Sequence, residues 1–176
     1  MTEITAVDRI ITHRLEASLA DLSRLCSQPS VSASGQGIAE CASLVEEMLQ
    51  ARGFTVQKIA TPGHPVIFAE RRGKSDRRML FYNHYDVQPP EPLELWLSPP
   101  FQPTIRDGKI YARGVSDDKG HIACRLAAID ALLEADGELP CTIKFVIEGE
   151  EETSSANLQT FVRSHKELLA DRKSVV

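Results

Sequence analysis

Met79-Leu-Phe-Tyr-Asn-His-Tyr-Asp86 is the stretch around which the rest of the chain can be interpreted. Its first four residues are apolar, which is typical of a buried strand. His84 and Asp86 follow at positions i and i+2, so an extended backbone places both side chains on the same face. An imidazole and a carboxylate at the end of a core strand are common constituents of a metal site.

Two acidic segments lie downstream of this strand. Asp117 and Asp118 stand between Gly114 and Gly120 at the start of a helical pattern, and Glu148-Gly-Glu-Glu-Glu152 follows a β-rich run. Carboxylates this close repel one another unless water or a cation neutralises them. A solvated loop is the usual explanation of an acidic run, but a position directly after a core strand favours a cation site. Of the two aspartates, one is expected to cap or orient the helix and the other to bind.

Strands alternate with helices along the chain. This order predicts an α/β fold, a three-layer α/β/α sandwich around a mostly parallel sheet. Functional groups in such sheets collect beyond the carboxyl ends of the strands, so His84 and the acidic run are expected at the same edge. The predicted helices cover Val7–Leu25, a segment with its apolar stripe from Ile38 to Leu49, a segment from Asp118 that ends before Gly137, and a last segment from Leu158 to Leu169. The predicted strands are Phe54–Ile59, Val66–Glu70, Met79–Tyr82 and Thr142–Ile147, with a proline-rich loop over Gln88–Pro103 and a hairpin over Thr104–Tyr111.

Composition excludes several classes of function. The chain of 176 residues is expected to form one domain, and its net charge of −5 without a basic run argues against nucleic acid as a partner. It has no apolar stretch near the roughly 20 residues that span a bilayer, and no signal-peptide pattern. The cysteines lack a Cys-x-x-Cys pair, which predicts reduced core thiols in a cytoplasmic protein. These cysteines are Cys26, Cys41, Cys124 and Cys141, and the histidines expected to be structural are His13, His64, His121 and His165.

Three motifs in this order resemble those of the dinuclear zinc exopeptidases. The family includes carnosinase-type dipeptidases, aminoacylases, glutamate carboxypeptidases and succinyl-diaminopimelate desuccinylase. The motifs are His84-Tyr-Asp86, Ala112-Arg-Gly-Val-Ser-Asp-Asp-Lys-Gly120 and Glu148-Gly-Glu-Glu-Glu152. Asp86-Val-Gln-Pro-Pro-Glu-Pro-Leu-Glu-Leu-Trp96 and Ser98-Pro-Pro-Phe101 add a particular similarity to cytosolic carnosinase-like dipeptidases.

The resemblance implies a role for each motif residue. His84 and Glu152 would be terminal ligands of two different metal ions, and Asp117 would bridge the two ions. Glu151 would be the catalytic general base, and Asp86 would complete the catalytic set by supporting His84. The implied cofactors are two Zn²⁺ ions, or Mn²⁺ or Co²⁺, and a cis peptide is implied between Asp117 and Asp118. The implied reaction is hydrolysis of the amide bond of a dipeptide or N-acyl amino acid.

The chain also departs from the family pattern. Family members are more than twice as long and carry a further aspartate ligand, a lid and dimerisation domain, and a late histidine ligand. Residues 1–176 are therefore expected to be the N-terminal part of the catalytic domain, with partial metal occupancy, weak or no activity, and no copy of the family's usual homodimer domain. Another departure is Ser154, where the family has glycine, so a positive φ at this position would strain the serine.

Two other hypotheses remain open from the sequence. The chain could be a non-catalytic binding module that holds at most one metal ion and pairs with a partner through an exposed sheet edge. It could also be the product of an incomplete gene.

Overall fold

The computed structural model describes residues 4–169 and 174–175. Its α-helices are α1 (Ile4–His13), α2 (Leu15–Ser27), α3 (Ile38–Gln50), α4 (Lys119–Asp136), α5 (Leu158–Ser164) and α6 (Lys166–Leu169). Its strands are β1 (Thr55–Ile59), β2 (Val66–Arg71), β3 (Arg78–His84), β4 (Thr104–Arg106), β5 (Lys109–Tyr111), β6 (Thr142–Glu148) and β7 (Ser174–Val175). Short 3₁₀ helices cover Leu93–Leu95 and Glu151–Thr153.

Five strands form one sheet in the order β1-β2-β6-β3-β7. All seven residues of the central strand β6 are buried, as expected for a strand that is covered on both faces. β3 is parallel to β6 and β7, whereas β2 is antiparallel to β1 and β6. The sheet is therefore mixed rather than mostly parallel, because the short connection 60–65 between β1 and β2 can join only antiparallel strands.

Helices cover both faces of this sheet. On one face, Ile67 of β2 and Phe145 of β6 belong to a core cluster shared with α2, α3 and α4. On the other face, Phe68 and Val146 pack with Phe161 of α5. Neighbouring residues of one strand thus enter different clusters, as the two-residue period of a strand requires. The predicted three-layer α/β/α sandwich is confirmed.

The N-terminal helix differs from its prediction. The structure has two helices, α1 and α2, interrupted at Arg14. Arg14 joins Glu134 of α4 through its guanidinium, at 2.9 Å. Ile11 and Leu15, which belong to the predicted apolar stripe, are exposed, and Cys26 at its end is buried. The last predicted helix is divided in the same way, into α5 and α6, at His165. An apolar repeat does not reveal a break of a single residue.

The middle of the chain matches its prediction more closely. The proline-rich loop contains one 3₁₀ turn and no strand, and β4 and β5 form the expected hairpin. Asp107 and Gly108 both have positive φ at its turn, 49° and 72°, which suits a two-residue hairpin loop. Gly137 ends α4 with φ 73°, the left-handed conformation that glycine adopts without strain.

The four cysteines are free thiols, but only two of them lie in the core. Cys26 and Cys41 are buried, Cys124 is exposed and Cys141 is half-buried. The prediction of core thiols is therefore wrong for Cys124. This residue lies on the outer side of α4, where an apolar residue type is a poor guide to burial.

None of the helices in the described part of the chain combines the length and the apolar character needed to cross a membrane.

Candidate metal centre

Two adjacent strands bring the predicted ligands to one edge of the sheet. β3 and β6 are parallel, and His84 is the register partner of Glu148. The residues after each strand therefore emerge side by side. Asp117 reaches the same place from the loop before α4, and its peptide bond to Asp118 is cis, as the family resemblance implies.

The structure brings His84, Asp117 and Glu152 together. One possible ligand atom from each lies within 4.8 Å of the others. His84 Nε2 is 3.0 Å from Asp117 Oδ1. Among residues 4–169, no lysine or arginine forms an ion pair with Asp117 or Glu152. One imidazole and two carboxylates without a lysine or arginine partner fit a divalent ion, because that ion would relieve the repulsion between the carboxylates.

Asp86 sets the orientation of the His84 ring. His84 Nδ1 lies 3.3 Å from Asp86 Oδ1 and 3.1 Å from the Asp86 carbonyl oxygen, which leaves Nε2 to face Asp117. A carboxylate on the far nitrogen is the usual support of a metal-binding histidine. Burial lowers the pKa of His84, but the hydrogen bond and charge of Asp86 outweigh burial and raise it to about 9. Burial alone would raise the pKa of Asp86, but the hydrogen bond to His84 opposes burial, and the pKa of Asp86 lies below its usual range.

Asp86 also holds the acidic loop. It is fully buried, and its carboxylate accepts hydrogen bonds from the backbone N–H groups of Glu151 at 3.3 Å and Glu152 at 3.0 Å. The Asp86 carboxylate thus joins His84 to the segment that carries Glu151 and Glu152. The sequence predicts the contact with His84 but gives no signal for the contact with the loop.

The acidic run divides into two anchors and two site residues. Glu148 is buried and accepts hydrogen bonds from the hydroxyls of Tyr82 and Ser155. Glu150 accepts from the backbone N–H of His64 at 3.2 Å and from Asn157 Nδ2 at 2.9 Å.

Glu151 and Glu152 remain at the site itself. Glu151 Oε2 is 4.0 Å from His84 Nε2, and Glu152 Oε2 accepts a hydrogen bond from Gln88 Nε2 at 2.7 Å. Ser154, two residues after Glu152, has φ 77°, so this serine adopts the left-handed conformation in which a residue other than glycine is strained. Gln88 is a site neighbour that the sequence analysis missed, because nothing in the proline-rich loop indicates which residue returns to the acidic run.

The remaining histidines lie outside the cluster, as predicted. His64 Nε2 is 3.1 Å from the Ser32 carbonyl oxygen, and His165 Nδ1 is 3.0 Å from that of Phe161. His121 Nδ1 lies 2.5 Å from Asp118 Oδ1. Asp118 precedes α4, yet its carboxylate makes no capping hydrogen bond to the helix backbone. Of the two aspartates, Asp117 therefore belongs to the cluster, whereas Asp118 lies outside it and contacts His121.

Comparison with known proteins relates this geometry to one family. The model of peptidase family M20/M25/M40 matches residues 80–175. The succinyl-diaminopimelate desuccinylase of Dechloromonas aromatica is 37% identical over 114 residues, which are 65% of this chain and 30% of that protein. The corresponding protein of Burkholderia ambifaria is 38% identical over 141 residues, which are 78% of this chain and 36% of that protein.

Two solved structures share the fold over most of the chain. An M20 family metallo-carboxypeptidase from Sulfolobus solfataricus superposes with a TM-score of 0.85 at 39% identity and covers 90% of this chain and 36% of its own. Human carnosine dipeptidase 1 superposes with a TM-score of 0.90 at 28% identity and covers 97% of this chain and 40% of its own. The chain thus spans about a third of the length of the curated relatives it matches. Because the family match takes in more than half of the chain and includes all three motifs, this protein belongs to peptidase family M20/M25/M40, a family of metal-dependent hydrolases.

Proposed function

We propose that the chain is the N-terminal part of the catalytic domain of an amidohydrolase that cleaves a dipeptide or an N-acyl amino acid. The observation that carries the proposal is the convergence of possible ligand atoms from His84, Asp117 and Glu152 within 4.8 Å. The relatives support the substrate class, since they include desuccinylases and a carnosine dipeptidase. The free thiols support a reducing compartment such as the cytoplasm.

His84, Asp117 and Glu152 would hold the metal ions, and an imidazole with carboxylates suits Zn²⁺ as well as Mn²⁺. Bound divalent ions supply Lewis acidity, which makes a water more acidic and polarises a scissile carbonyl group. Asp86 positions His84 and the backbone of Glu151 and Glu152 through the hydrogen bonds described above.

Glu151 is proposed as the general base. Its side chain is 44% exposed, and its Oε2 lies 4.0 Å from His84 Nε2, so it is both close to the cluster and open to substrate. Glu151 would take a proton from the attacking water and deliver it to the leaving amine nitrogen. Such proton transfer contributes about 10²- to 10⁴-fold to a rate.

Metal affinity separates the roles of the two neighbouring glutamates. We expect Glu151→Ala to retain Zn²⁺ affinity to within about 3-fold, because a base is not needed for binding, and Glu152→Ala to lose about 10- to 100-fold, the range seen when a metal site loses a supporting group. Competition with a chromophoric chelator measures both affinities. Equal losses in the two variants would contradict the assigned roles.

We expect the 176-residue chain to turn over slowly or not at all. Three side chains cannot complete the coordination of two ions, since zinc ordinarily has four ligands, and the Asp117 side chain is 74% exposed to water. Hydrolysis of a panel of dipeptides and N-acyl amino acids with added Zn²⁺ or Mn²⁺ measures this. Fast hydrolysis that a chelator abolishes would contradict the prediction that this chain has an incomplete metal site. The same result would support metal-dependent amide hydrolysis as the reaction.

A binding module that holds at most one metal ion is the second candidate. The observation that favours it is the ligand set itself, since the described cluster has three residues and these suffice for one ion. In the described part of the chain, β1 pairs on one side only, which leaves an edge for a partner strand. Metal stoichiometry tests this candidate: two tightly bound ions per chain would exclude a module that holds at most one ion.

A further inference from the structure

A buried polar network lies directly behind the proposed ligands. Asn83, the residue before His84 on β3, is 1% exposed. Its Nδ2 donates a hydrogen bond of 2.7 Å to Asp118 Oδ2, and the backbone N–H of His84 donates to the same oxygen at 3.0 Å. Together with His121 on Asp118 Oδ1, these groups give the Asp118 carboxylate three hydrogen-bond partners. Asp118 is thereby attached to the last two residues of β3.

Arg125 determines which way the Asn83 amide points. Arg125 Nη1 donates to the Tyr82 carbonyl oxygen at 2.8 Å and to Asn83 Oδ1. A guanidinium has donors and no acceptor, so the amide oxygen must face Arg125 and the amide NH₂ must face Asp118. Arg125 also lies over the Phe81 ring, 4.9 Å from its centroid, which holds the guanidinium beside β3. In the hydrogen-bond series Arg125–Asn83–Asp118, each contact therefore pairs one donor with one acceptor.

We propose that Asn83, oriented by Arg125, is a positioning residue for the metal ligands. It holds the Asp118 carboxylate against the end of β3 and so sets the distance between His84 on that strand and Asp117, the residue bonded to Asp118. The inference rests on the proposed function, since it concerns the same metal site. Asn83 and Arg125 do not touch the cluster themselves, and their effect passes through Asp118.

The test is Zn²⁺ affinity of the 176-residue chain, measured at 25 °C by competition with a chromophoric chelator. Asn83→Leu keeps a similar size but cannot donate, and Asn83→Asp keeps the shape but replaces the donor with a second carboxylate. We expect each to weaken Zn²⁺ binding by about 10- to 100-fold, the effect typical of groups that orient metal ligands. Arg125→Met should also weaken binding, and Arg125→Lys should restore most of it, because a lysine can still donate to both oxygens.

Controls separate positioning from folding. Arg24→Met removes an exposed guanidinium that pairs with Glu47 away from the site, and it should bind Zn²⁺ as the wild type does. Hydrogen exchange of the His84 amide in metal-free protein is the second measurement. Its N–H donates to Asp118, so Asn83→Leu and Arg125→Met should speed its exchange more than that of the β6 amides.

The outcomes distinguish this inference from the proposed function. A wild-type chain that binds no Zn²⁺ would overturn the proposed site and the inference with it. Wild-type binding that is retained in folded Asn83→Leu, with only a lowered melting temperature, would overturn the inference and leave the proposed site intact. If the leucine variant does not fold, unchanged binding and unchanged His84 exchange in Arg125→Met would overturn it.

Discussion

At the scale of single residues, Asp86 connects more of the site than any other side chain described above. Its carboxylate faces the His84 ring and accepts the N–H groups of Glu151 and Glu152. These contacts stabilise the site because Asp86 is fully buried. A buried carboxylate that has neither water nor a hydrogen-bond partner is strongly disfavoured. Asp86 therefore couples the histidine to the acidic loop.

We expect Asp86→Asn to weaken Zn²⁺ binding by about 10- to 100-fold. The substitution removes the charge beside His84, and an amide NH₂ cannot accept one of the two loop N–H groups. A chelator competition titration measures the change. Asp107→Asn is the matched control, because Asp107 lies in the hairpin turn at φ 49°, a conformation that asparagine tolerates. Equal affinity in the two variants would contradict the role given to Asp86.

The thiols give a second prediction for individual residues. Burial raises the pKa of Cys26 to about 11, and burial also raises the pKa of Cys41. The thiolate is the nucleophile, so at pH 8 the exposed Cys124 should react with iodoacetamide well before either buried cysteine. Because the Cys26 pKa is raised on folding, the native chain should also lose stability from this group as the pH rises from about 9 to 11. Mass spectrometry of the alkylated peptides measures the order, and early labelling of Cys26 would contradict it.

At the scale of elements, the pairing of β3 with β6 decides where the site forms. His84 and Glu148 are register partners, and the sequence predicts their common edge from the position of polar residues directly after two apolar strands. The sequence does not predict which carboxylates of the acidic run are anchors. That division depends on Tyr82 and His64, which are 66 and 86 residues away from the glutamates they contact. Local patterns carry no information about such distant partners.

Other differences between prediction and structure also arise from contacts or connections beyond a local pattern. A one-residue interruption at Arg14 coincides with ion pairs to Asp130 and Glu134 on α4. The direction of β2 follows from the length of the turn before it, and the apolar period of a strand is the same in both directions. Burial of Cys41 but not of Cys124 likewise depends on which side of each helix meets the sheet.

The anchoring of the acidic loop can be tested on one hydroxyl. Tyr82 donates to the buried Glu148, and Tyr82→Phe would leave that carboxylate with Ser155 as its remaining side-chain donor among the described contacts. We expect the free energy of unfolding to fall by about 1–3 kcal/mol, the range for a buried group that loses a hydrogen bond. Tyr111→Phe in the exposed hairpin is the matched control. Urea denaturation measures the free energy of unfolding of both variants. An equal loss in Tyr82→Phe and Tyr111→Phe would contradict the role of Tyr82 in anchoring Glu148.

At the scale of the whole molecule, the sandwich brings His84, Asp117 and Glu152 together at one edge of its sheet. β6 is buried along its whole length, and the parallel strand β3 beside it ends at His84 of the cluster. The chain covers 36% of one related metallo-carboxypeptidase and 40% of human carnosine dipeptidase 1. In the described part of the chain, the side chains of Asp117 and Glu151 at the cluster are open to solvent.

A ligand that binds only the folded state raises its stability, by about 2.7 kcal/mol when its concentration is 100 times the dissociation constant. Zn²⁺ at such an excess should therefore raise the melting temperature of the chain, and a chelator should reverse the rise. The same addition should raise the melting temperature of His84→Ala by clearly less, because this variant is expected to bind Zn²⁺ at least about 10-fold more weakly. A rise of equal size in that variant would place the metal elsewhere on the molecule.

The most direct measurement is Zn²⁺ titration of the wild-type chain and of His84→Ala, Asp117→Ala and Glu152→Ala, with the exposed His13→Ala as the control. The cluster geometry predicts that the wild type and the control bind alike, and that each of the three substitutions lowers affinity by at least about 10-fold. Wild-type affinity in all three variants, or no binding by the wild type, would contradict a metal centre formed by these residues.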